Sequence, residues 1–214
     1  MKRTVEKRQA ILDAAAELLR EGGYERASMS DIGLRTGFSK TTVYGYFASK
    51  EALLATLVEE ATERGVAAIH AALAGPELEP AAVLERFADA YLAFALSAPV
   101  CTLRSVLVAM AGRLSLGPRW RDLGAARICA ALAGYLRTQM EAGSLLRGDA
   151  LRAAGQFKAL LEAPWFDRVL FDHGAGPGPG QVEEDARFAL ATFLRAWAPE
   201  PQRSPRALLA TDAP

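Results

Sequence analysis

Apolar residues recur at spacings of three and four positions along almost the whole chain, which is the pattern of amphipathic helices. The clearest stripe consists of Leu53, Leu54, Leu57, Val58, Ala61, Ala68, Ile69 and Leu73. No convincing run alternates apolar and polar residues as a half-buried strand would. Hydrophobic residues make up 51% of the 214 positions, which is enough to bury a core and excludes a wholly disordered chain. The sequence therefore predicts an all-α fold.

Glycines, prolines and capping residues set the predicted helix boundaries. We predict helices over about residues 5–20, 28–36, 39–47, 49–74, 80–98, 101–114, 119–142, 149–172 and 181–197. Gly22 and Gly23 should end the first helix, and Pro164 should kink or break the eighth. A glycine-rich connector over residues 174–180 should join the last two helices, and a flexible tail should follow residue 198.

Charge separates the N-terminal segment from the rest of the chain. Residues 1–50 contain nine Lys or Arg and six Asp or Glu, a balance of +3, so the remaining residues carry −3 of a net charge of zero. Any contact with a nucleic acid must therefore come from a local patch, because the whole chain is not a polycation. The N-terminal excess of positive charge suits an anionic partner.

Residues 29–48 have the pattern of a helix, a tight turn and a second helix. Ser28 and Asp31 are spaced as a capping box, with aspartate in place of the usual glutamate. Gly37 suits the left-handed backbone of a turn, and Ser39 offers an N-cap for the second helix. The apolar residues Ile32, Val43 and Phe47 should point inward.

The second helix of this motif presents short polar and aromatic side chains outward. They are Ser39, Lys40, Thr41, Thr42, Tyr44 and Tyr46. A helix about 10–12 Å across fits the roughly 12 Å wide major groove of DNA when its tip is not bulky. Hydroxyls can donate to phosphates, and threonine methyls can contact thymine methyls. The pattern predicts a DNA-binding helix-turn-helix.

Six short segments together resemble the TetR (tetracycline-repressor-like) family of regulators. They lie at residues 11–19, 23–24, 30–32, 36–40, 43–47 and 49–53, within a resemblance that covers about residues 7–57. Residues 143–146 and 149–157 resemble the C-terminal region of one subgroup, the AefR-like regulators. Gly33 departs from the family, which usually has alanine there, and should make the second helix less stable by about 1 kcal/mol.

The resemblance implies an all-helical, homodimeric transcription regulator. Residues 1–48 would form a three-helix DNA-binding domain, residues 49–198 a larger helical effector-binding and dimerisation domain that begins with the long helix 49–74, and residues 199–214 a flexible tail. We expect a repressor that binds a pseudo-palindromic double-stranded operator and is released by a small, mainly hydrophobic effector. Activation, and a protein partner in place of the effector, remain alternatives.

The resemblance also implies individual DNA contacts at matching positions. Three side chains would meet phosphates: Tyr44, Tyr46 and Lys50. Four would lie nearest the base edges: Ser39, Lys40, Thr41 and Thr42. Ser28 would sit near the DNA backbone as the cap of the second helix. The basic residues Lys2, Arg3, Lys7 and Arg8 are either a solvated end or an arm that adds phosphate contacts.

The larger domain offers two sets of candidate contacts. Phe87, Tyr91 and Phe94 share one helical face and are either core or, as the resemblance implies, the lining of an effector cavity, with Met110, Leu114 and Trp120 as further candidates. The candidate dimer interface consists of Phe157, Leu161, Trp165, Leu190, Phe193 and Trp197. These residues belong to apolar stripes on the last two long predicted helices. The stripes are either intramolecular core or, as in the family, part of a two-fold four-helix interface.

Other function classes find little support in the sequence. Cys101 and Cys129 are too few for a disulfide scaffold, and His70 and His173 leave little material for a metal centre. No nucleophile and base are grouped as an enzyme would need. The longest apolar stretch, residues 90–103, is shorter than the ~20 residues that cross a bilayer. We therefore expect a cytoplasmic protein with no cofactor, metal, catalytic activity or membrane partner.

Overall fold

The computed structural model describes residues 2–75, 79–109, 124–171 and 178–199. Within these ranges the regular secondary structure is entirely helical, as predicted. The helices are α1 Lys2–Arg26, α2 Met29–Thr36, α3 Lys40–Tyr46, α4 Lys50–Leu73, α5 Pro80–Ala95, α6 Ala98–Ala109, α7 Ala126–Glu141, α8 Ala150–Glu162, α9 Phe166–Phe171 and α10 Gln181–Trp197.

Four predicted helix boundaries are wrong. α1 begins at Lys2 instead of residue 5, and α5 ends at Ala95 instead of residue 98. α1 continues to Arg26 instead of ending at Arg20, although Gly23, with φ 69° and ψ −175°, interrupts its regular geometry. α6 begins at Ala98 instead of residue 101, because a proline such as Pro99 is tolerated in the first turn of a helix.

Other predicted boundaries agree with the structure or fall outside the ranges it describes. The break predicted at Pro164 is confirmed, since α8 ends at Glu162 and α9 begins at Phe166. α10 has the predicted bounds. The predicted helix ends at residues 114 and 119, the start of the connector at residues 174–177 and most of the tail lie outside the described residues.

By their packing, the helices form two compact units. The first unit combines Met1–Arg64 with Leu96–Gly124, and the second combines Gly65–Ala95 with Ala125–Pro214. α4 therefore contributes residues to both units. The domain boundary predicted between residues 48 and 49 is based on the helix-turn-helix motif and differs from this division by packing, and it stays a prediction.

The first unit is built around α1, which packs on α2 and on α6, while α2 packs on α3. The inward positions predicted for Ile32, Val43 and Phe47 are confirmed. The buried core is Ile11, Leu12, Ala14, Ala15, Met29, Ile32, Val43, Phe47 and Leu53. At its surface Arg35 of α2 donates two hydrogen bonds of 2.7 and 2.8 Å to the carboxylate of Glu21 on α1. This bidentate pair links the two helices from the outside.

The second unit has an aromatic interior. α7 packs on α8, and α10 packs on both α5 and α8. Four aromatic rings form a continuous chain of contacts. The ring centres of Phe87 and Phe157 lie 5.9 Å apart, those of Phe157 and Phe193 4.8 Å, and those of Phe193 and Trp197 6.1 Å. Tyr91 stacks on Phe87 at 5.8 Å. Large side chains from three helices thus fill this core.

Candidate nucleic-acid interface

Two capping arrangements fix the geometry of α2 and the turn that follows it. The Ser28 hydroxyl accepts from Asp31 N at 3.1 Å, while the Asp31 carboxylate accepts from Ser28 N at 3.2 Å. The predicted capping box is therefore confirmed. After α2, Gly37 has φ 71°, and Phe38 N donates to the carbonyl of Gly33 at 3.0 Å. The left-handed glycine turns the chain so that α3 starts in a new direction.

Gly33 allows α2 and the start of α3 to approach each other closely. A Cβ atom built on Gly33 would lie 2.8 Å from the carbonyl oxygen of Phe38 and 3.8 Å from Lys40 N. The sequence predicts only a propensity cost for this glycine. The structure adds a steric role, because the nearest obstacle is backbone and not the end of a flexible side chain.

α3 presents a small polar surface. Ser39 caps the helix by accepting from Thr42 N at 3.1 Å, and the two hydroxyl oxygens lie 2.8 Å apart. Ser39, Lys40, Thr41 and Tyr44 are exposed, whereas Thr42 is half-buried. Lys40 Nζ lies 5.9 Å from the centre of the Tyr44 ring. The face combines hydroxyls with one cation and no carboxylate, which suits phosphates and base edges.

Tyr46 departs from the predicted outward orientation. Its side chain is half-buried and packs against the core of the first unit. The physical reason is helical spacing, because Tyr46 follows the buried Val43 by three positions and shares its side of the helix. The Tyr46 ring is therefore less exposed than expected, and its contact with a phosphate stays a prediction.

Lys50 is held by its own chain. Its ammonium donates to the carbonyl oxygen of Tyr24 and lies 3.9 Å from the centre of that ring. The Tyr24 hydroxyl in turn donates to the Glu51 carboxylate at 2.7 Å. Burial lowers the pKa of Lys50, and the hydrogen bond from Tyr24 lowers the pKa of Glu51. To contact a phosphate, Lys50 would have to leave Tyr24, so its DNA contact stays a prediction.

Tyr24 and Glu51 are site residues that the sequence analysis missed. Together with Lys50 they join the end of α1 to the start of α4. The signal that points to them is Gly23, whose positive φ redirects the end of α1 just before Tyr24.

Two of the four N-terminal basic residues pack on the first unit. Lys7 Nζ lies 5.5 Å from the centre of the Phe38 ring. Arg8 donates to the Glu60 carboxylate at 2.7 Å and lies 5.5 Å from the centre of the Phe47 ring. Arg8 is therefore part of the packing between α1 and α4. The side chains of Lys2 and Arg3 lie outside the described residues.

The candidate effector contacts fall into two groups. Met110, Leu114 and Trp120 lie outside the described residues. Phe87 and Tyr91 are fully buried, Phe94 is half-buried, and the Tyr91 hydroxyl donates to the Glu162 carboxylate at 2.7 Å. None of these three aromatic residues lines the pocket of about 140 Å³ between α1, α4 and α6 or the pocket of about 120 Å³ between α5 and α10. Their role toward an effector stays a prediction.

The candidate dimer residues are mostly buried within one chain. Phe157, Leu161, Trp165, Leu190 and Phe193 are each at most 9% exposed, and Trp197 is half-buried. Large apolar side chains are exposed elsewhere in the second unit, at Leu151, Phe166 and Phe188. Five of the six predicted residues are therefore packed in the core of one chain, and their part in a dimer interface stays a prediction.

The described residues hold little that suggests other chemistry. Cys101 and Cys129 are half-buried thiols that are not joined in a disulfide, and burial raises the pKa of both. No group of histidine, cysteine and carboxylate side chains in the described part of the chain could hold a metal ion. No single helix there is long and apolar enough to cross a membrane, and Pro80–Ala95 and Ala98–Ala109 pass that test only as a bent pair.

Two family models match the sequence. The model for bacterial regulatory proteins of the tetR family matches residues 11–57, and that for the C-terminal domain of AefR-like transcriptional repressors matches residues 82–199, more than half of the chain.

The A-factor receptor protein of Streptomyces griseus is 42% identical over 60 residues, which are 28% of this chain and 22% of that protein. The fatty acid metabolism regulator protein of Bacillus subtilis is 38% identical over 60 residues, 28% of this chain and 31% of that protein. The chain thus matches less than a third of the length of these relatives.

Solved structures cover nearly the whole chain. The crystal structure of a protein described as a TetR-family transcriptional regulator, from Mesorhizobium loti MAFF303099, has a TM-score of 0.82 at 24% identity, over 92% of this chain and 99% of that one. The flavonoid-responsive regulator FrrA has a TM-score of 0.68 at 27% identity, over 91% and 98%. SmeT, the repressor of the Stenotrophomonas maltophilia multidrug efflux pump SmeDEF, has a TM-score of 0.68 at 20% identity, over 97% of each chain. These likenesses show a shared fold, with an N-terminal helix-turn-helix and a helical C-terminal domain.

Proposed function

Because the chain belongs to the tetR family of bacterial regulatory proteins, we propose that it is a homodimeric repressor whose operator binding is relieved by a small effector. The family consists of DNA-binding transcriptional regulators and not enzymes, and its members are generally repressors with a ligand-binding C-terminal domain. The operator, the effector and the dimer of this chain are the parts that we propose.

The observation that carries the proposal is the exposed face of α3. Ser39, Lys40, Thr41 and Tyr44 lie on the surface of a short helix that is oriented by the cap at Ser28 and the turn after α2. These side chains are short or carry a hydroxyl at the tip, so the helix can enter a major groove without steric conflict. In the proposed complex, Lys40 reaches a phosphate and not a base edge as the resemblance implies, because its ammonium lies 5.9 Å from the centre of the ring of Tyr44, which reaches a phosphate as well. Thr41 and Thr42 lie nearest the base edges.

We place the dimer contact on the outward faces of α8 and α10. On α8, Leu151, Gly155 and Ala159 recur every four positions and are exposed, so they share one face with little side-chain bulk. On α10, Phe188 is 70% exposed. A large aromatic side chain is a suitable anchor for a two-fold interface, and burying it there removes an unfavourable contact with water.

The second unit is the proposed effector domain. One structural neighbour supports a small-molecule signal, since FrrA is described as a flavonoid-responsive regulator. α4 runs from the first unit into the second as one helix, so it is the proposed lever between effector and DNA. An effector can shift the protein toward a form with the wrong half-site spacing only as far as its affinities for the two forms differ.

The test is selection of genomic DNA fragments by the purified protein, followed by footprinting and by measuring the dissociation constant at several salt concentrations. Lys40→Ala should weaken binding and reduce the salt slope by about one unit, because one phosphate contact is lost. Arg147→Ala removes the same charge from an exposed loop of the second unit and serves as the matched control. Unchanged affinity and slope in Lys40→Ala, or a wild type that retains no fragment at low salt, would contradict the proposal.

A further inference from the structure

The first unit contains a pocket that the proposed function does not use. It has a volume of about 140 Å³ and lies between α1, α4 and α6. All the residues that line it belong to the first unit, in which α1 also packs on α6. An apolar cavity of about 150 Å³ is large enough to hold benzene. The pocket therefore has the size of a single aromatic ring.

The floor of the pocket is apolar and closed to solvent. It consists of Leu12 and Leu19 of α1, Ala61 of α4 and Leu103 of α6, each at most 5% exposed. Ala16 on α1 lines the same space. The two alanines contribute only methyl groups, which leaves a gap among the leucines. A water molecule finds few hydrogen-bond partners on such a floor, so an apolar occupant is favoured.

The charged groups around the mouth of the pocket balance one another. Asp13 accepts a hydrogen bond from Gln9 at 2.9 Å, and Glu60 accepts one from Arg8 at 2.7 Å. Arg64 also lines the pocket and is exposed. The two carboxylates and two guanidinium groups carry no net charge, so the mouth favours neither an anion nor a cation. An uncharged ligand also loses less hydration when it enters the apolar floor.

One hydroxyl that lines the pocket is available for a hydrogen bond. Thr36, Thr56 and Thr138, on other helices, each donate to a carbonyl of the preceding helical turn. The Thr102 hydroxyl on α6 makes no such bond and has no hydrogen-bond partner among the described residues. The side chain is half-buried. Its hydroxyl can therefore donate to, or accept from, a polar group of a ligand on the apolar floor.

We propose that this pocket binds an uncharged molecule with a single aromatic ring and one hydroxyl group, which is a simple phenol. The ring occupies the space over Leu12, Leu19 and Leu103, and its hydroxyl bonds to Thr102. The site goes beyond the proposed function, because it lies in the first unit and not in the proposed effector domain.

Leu12 connects the pocket to the core of the DNA-binding motif. It lines the pocket and also belongs to the buried core that contains Ile32, Val43 and Phe47. Leu57 lines the pocket and packs against the same core. A bound phenol therefore adds contacts next to the core that supports α2 and α3. Because the pocket exists only in the folded protein, the ligand stabilises the first unit.

Methyl NMR of the whole protein tests the site directly. Phenol should shift the methyl signals of Leu12, Leu19 and Leu103 saturably, at concentrations that leave the helical signal unchanged. The ring protons of phenol should also give nuclear Overhauser effects to these methyl groups. Unchanged signals of all three leucines would overturn the proposal.

Ala16→Leu tests whether the ring occupies the pocket. The added carbon atoms and the ring need the same space, so phenol and toluene should both bind about tenfold more weakly or worse. Ala52→Leu adds the same atoms at an exposed position of α4 outside the pocket, and it should bind both ligands as wild type does. Equal affinities in Ala16→Leu and wild type would overturn the proposal.

Thr102→Val tests the hydrogen bond. Valine keeps the shape of threonine, so this variant tests the site even if Ala16→Leu does not fold. Phenol should bind about fivefold more weakly, which is the effect of one hydrogen bond, and toluene should bind as before. Thr56→Val, on α4 outside the pocket, is the matched control and should leave both affinities unchanged. A ratio of phenol to toluene affinity that Thr102→Val does not change would overturn the proposal.

Charged rings test the proposed class of ligand. Benzoate is an anion and benzylamine a cation at neutral pH, and both should bind this pocket more weakly than phenol does. Tighter binding of either one would overturn the proposal. None of these measurements uses DNA, so their failure leaves the proposed function intact. A protein that binds phenol here but retains no operator fragment would refute the proposed function and leave the phenol site standing.

Discussion

Gly65→Ala tests the contact between α4 and α5 in the second unit. Gly65 lies inside α4, where helix propensity alone predicts that alanine is more stable by about 1 kcal/mol. The structure predicts the opposite sign. A Cβ atom built on Gly65 would lie 2.5 Å from Cε2 and 2.7 Å from Cγ of Phe94, and closer still to Cδ2. These distances are well below the ~3.5–4.0 Å of favourable carbon contacts, so the ring or the helix must move.

The magnitude follows from the two opposing effects. Overpacking a well-packed site costs about 1–3 kcal/mol, and the propensity gain offsets about 1 kcal/mol of it. We therefore expect the free energy of unfolding to fall by roughly 1 kcal/mol. For a chain of this length, such a change lowers the unfolding temperature by about 2–4 °C. Thermal and urea unfolding, followed by circular dichroism, would measure it.

A double-mutant cycle with Phe94→Ala makes this prediction specific. Once the ring is removed, the new methyl group meets no obstacle, and Gly65→Ala should stabilise the protein by about 1 kcal/mol. The sign of the effect thus reverses between the two backgrounds, with a coupling energy of about 2 kcal/mol. If Gly65→Ala stabilises both backgrounds equally, the close approach of Gly65 and Phe94 is refuted.

The remaining predictions concern the dimer and the link between α1 and α4. Phe188→Glu should weaken self-association at least tenfold in sedimentation velocity while the helical signal stays unchanged. Val108→Glu, at a 57% exposed apolar position on α6, is the control and should remain dimeric, and an equal effect of both would argue against the α10 face. Because the bond from Tyr24 lowers the pKa of Glu51 from its usual 4.5, that bond stabilises the fold above this pH and is lost as the pH falls through the lowered value. Glu51→Gln should therefore be less stable than wild type at pH 7, by under about 1 kcal/mol for so exposed a group, and the difference should vanish in acid. A gap in urea-unfolding midpoints that stays constant with pH would contradict this assignment.

Local signals in the sequence predicted the motif well. The cap at Ser28, the left-handed Gly37 and the cap at Ser39 each depend on atoms within three or four residues, so short patterns determine them. The prediction for Tyr46 gave more weight to its polar hydroxyl than to its position three residues after the buried Val43, which brings its ring against the core. The links from Lys50 to Tyr24 and from Arg8 to Glu60 span 26 and 52 positions, and no local pattern encodes them.

Apolar stripes show that a helix face is buried, but they do not show what buries it. Phe157 and Phe193 lie on such stripes, and their rings meet each other at 4.8 Å within one chain. The sequence left core and interface as alternatives for these residues. Their packing places them in the core, and their part in an interface stays a prediction. Exposed apolar residues such as Phe188 carry a different kind of information, because nothing in the described part of the chain covers most of their surface.

The contact between Gly65 and Phe94 also lies where the chain passes between the two units. α4 enters the second unit at Gly65, and the chain leaves that unit after Ala95, one residue beyond Phe94. α4 is one helix from Lys50 to Leu73, and Gly65 inside it makes room for the Phe94 ring. A movement of α5 on effector binding would therefore act on α4 at its point of entry. α4 and the chain after Ala95 both continue into the first unit, so we expect these two stretches of chain to carry the effect of such a movement.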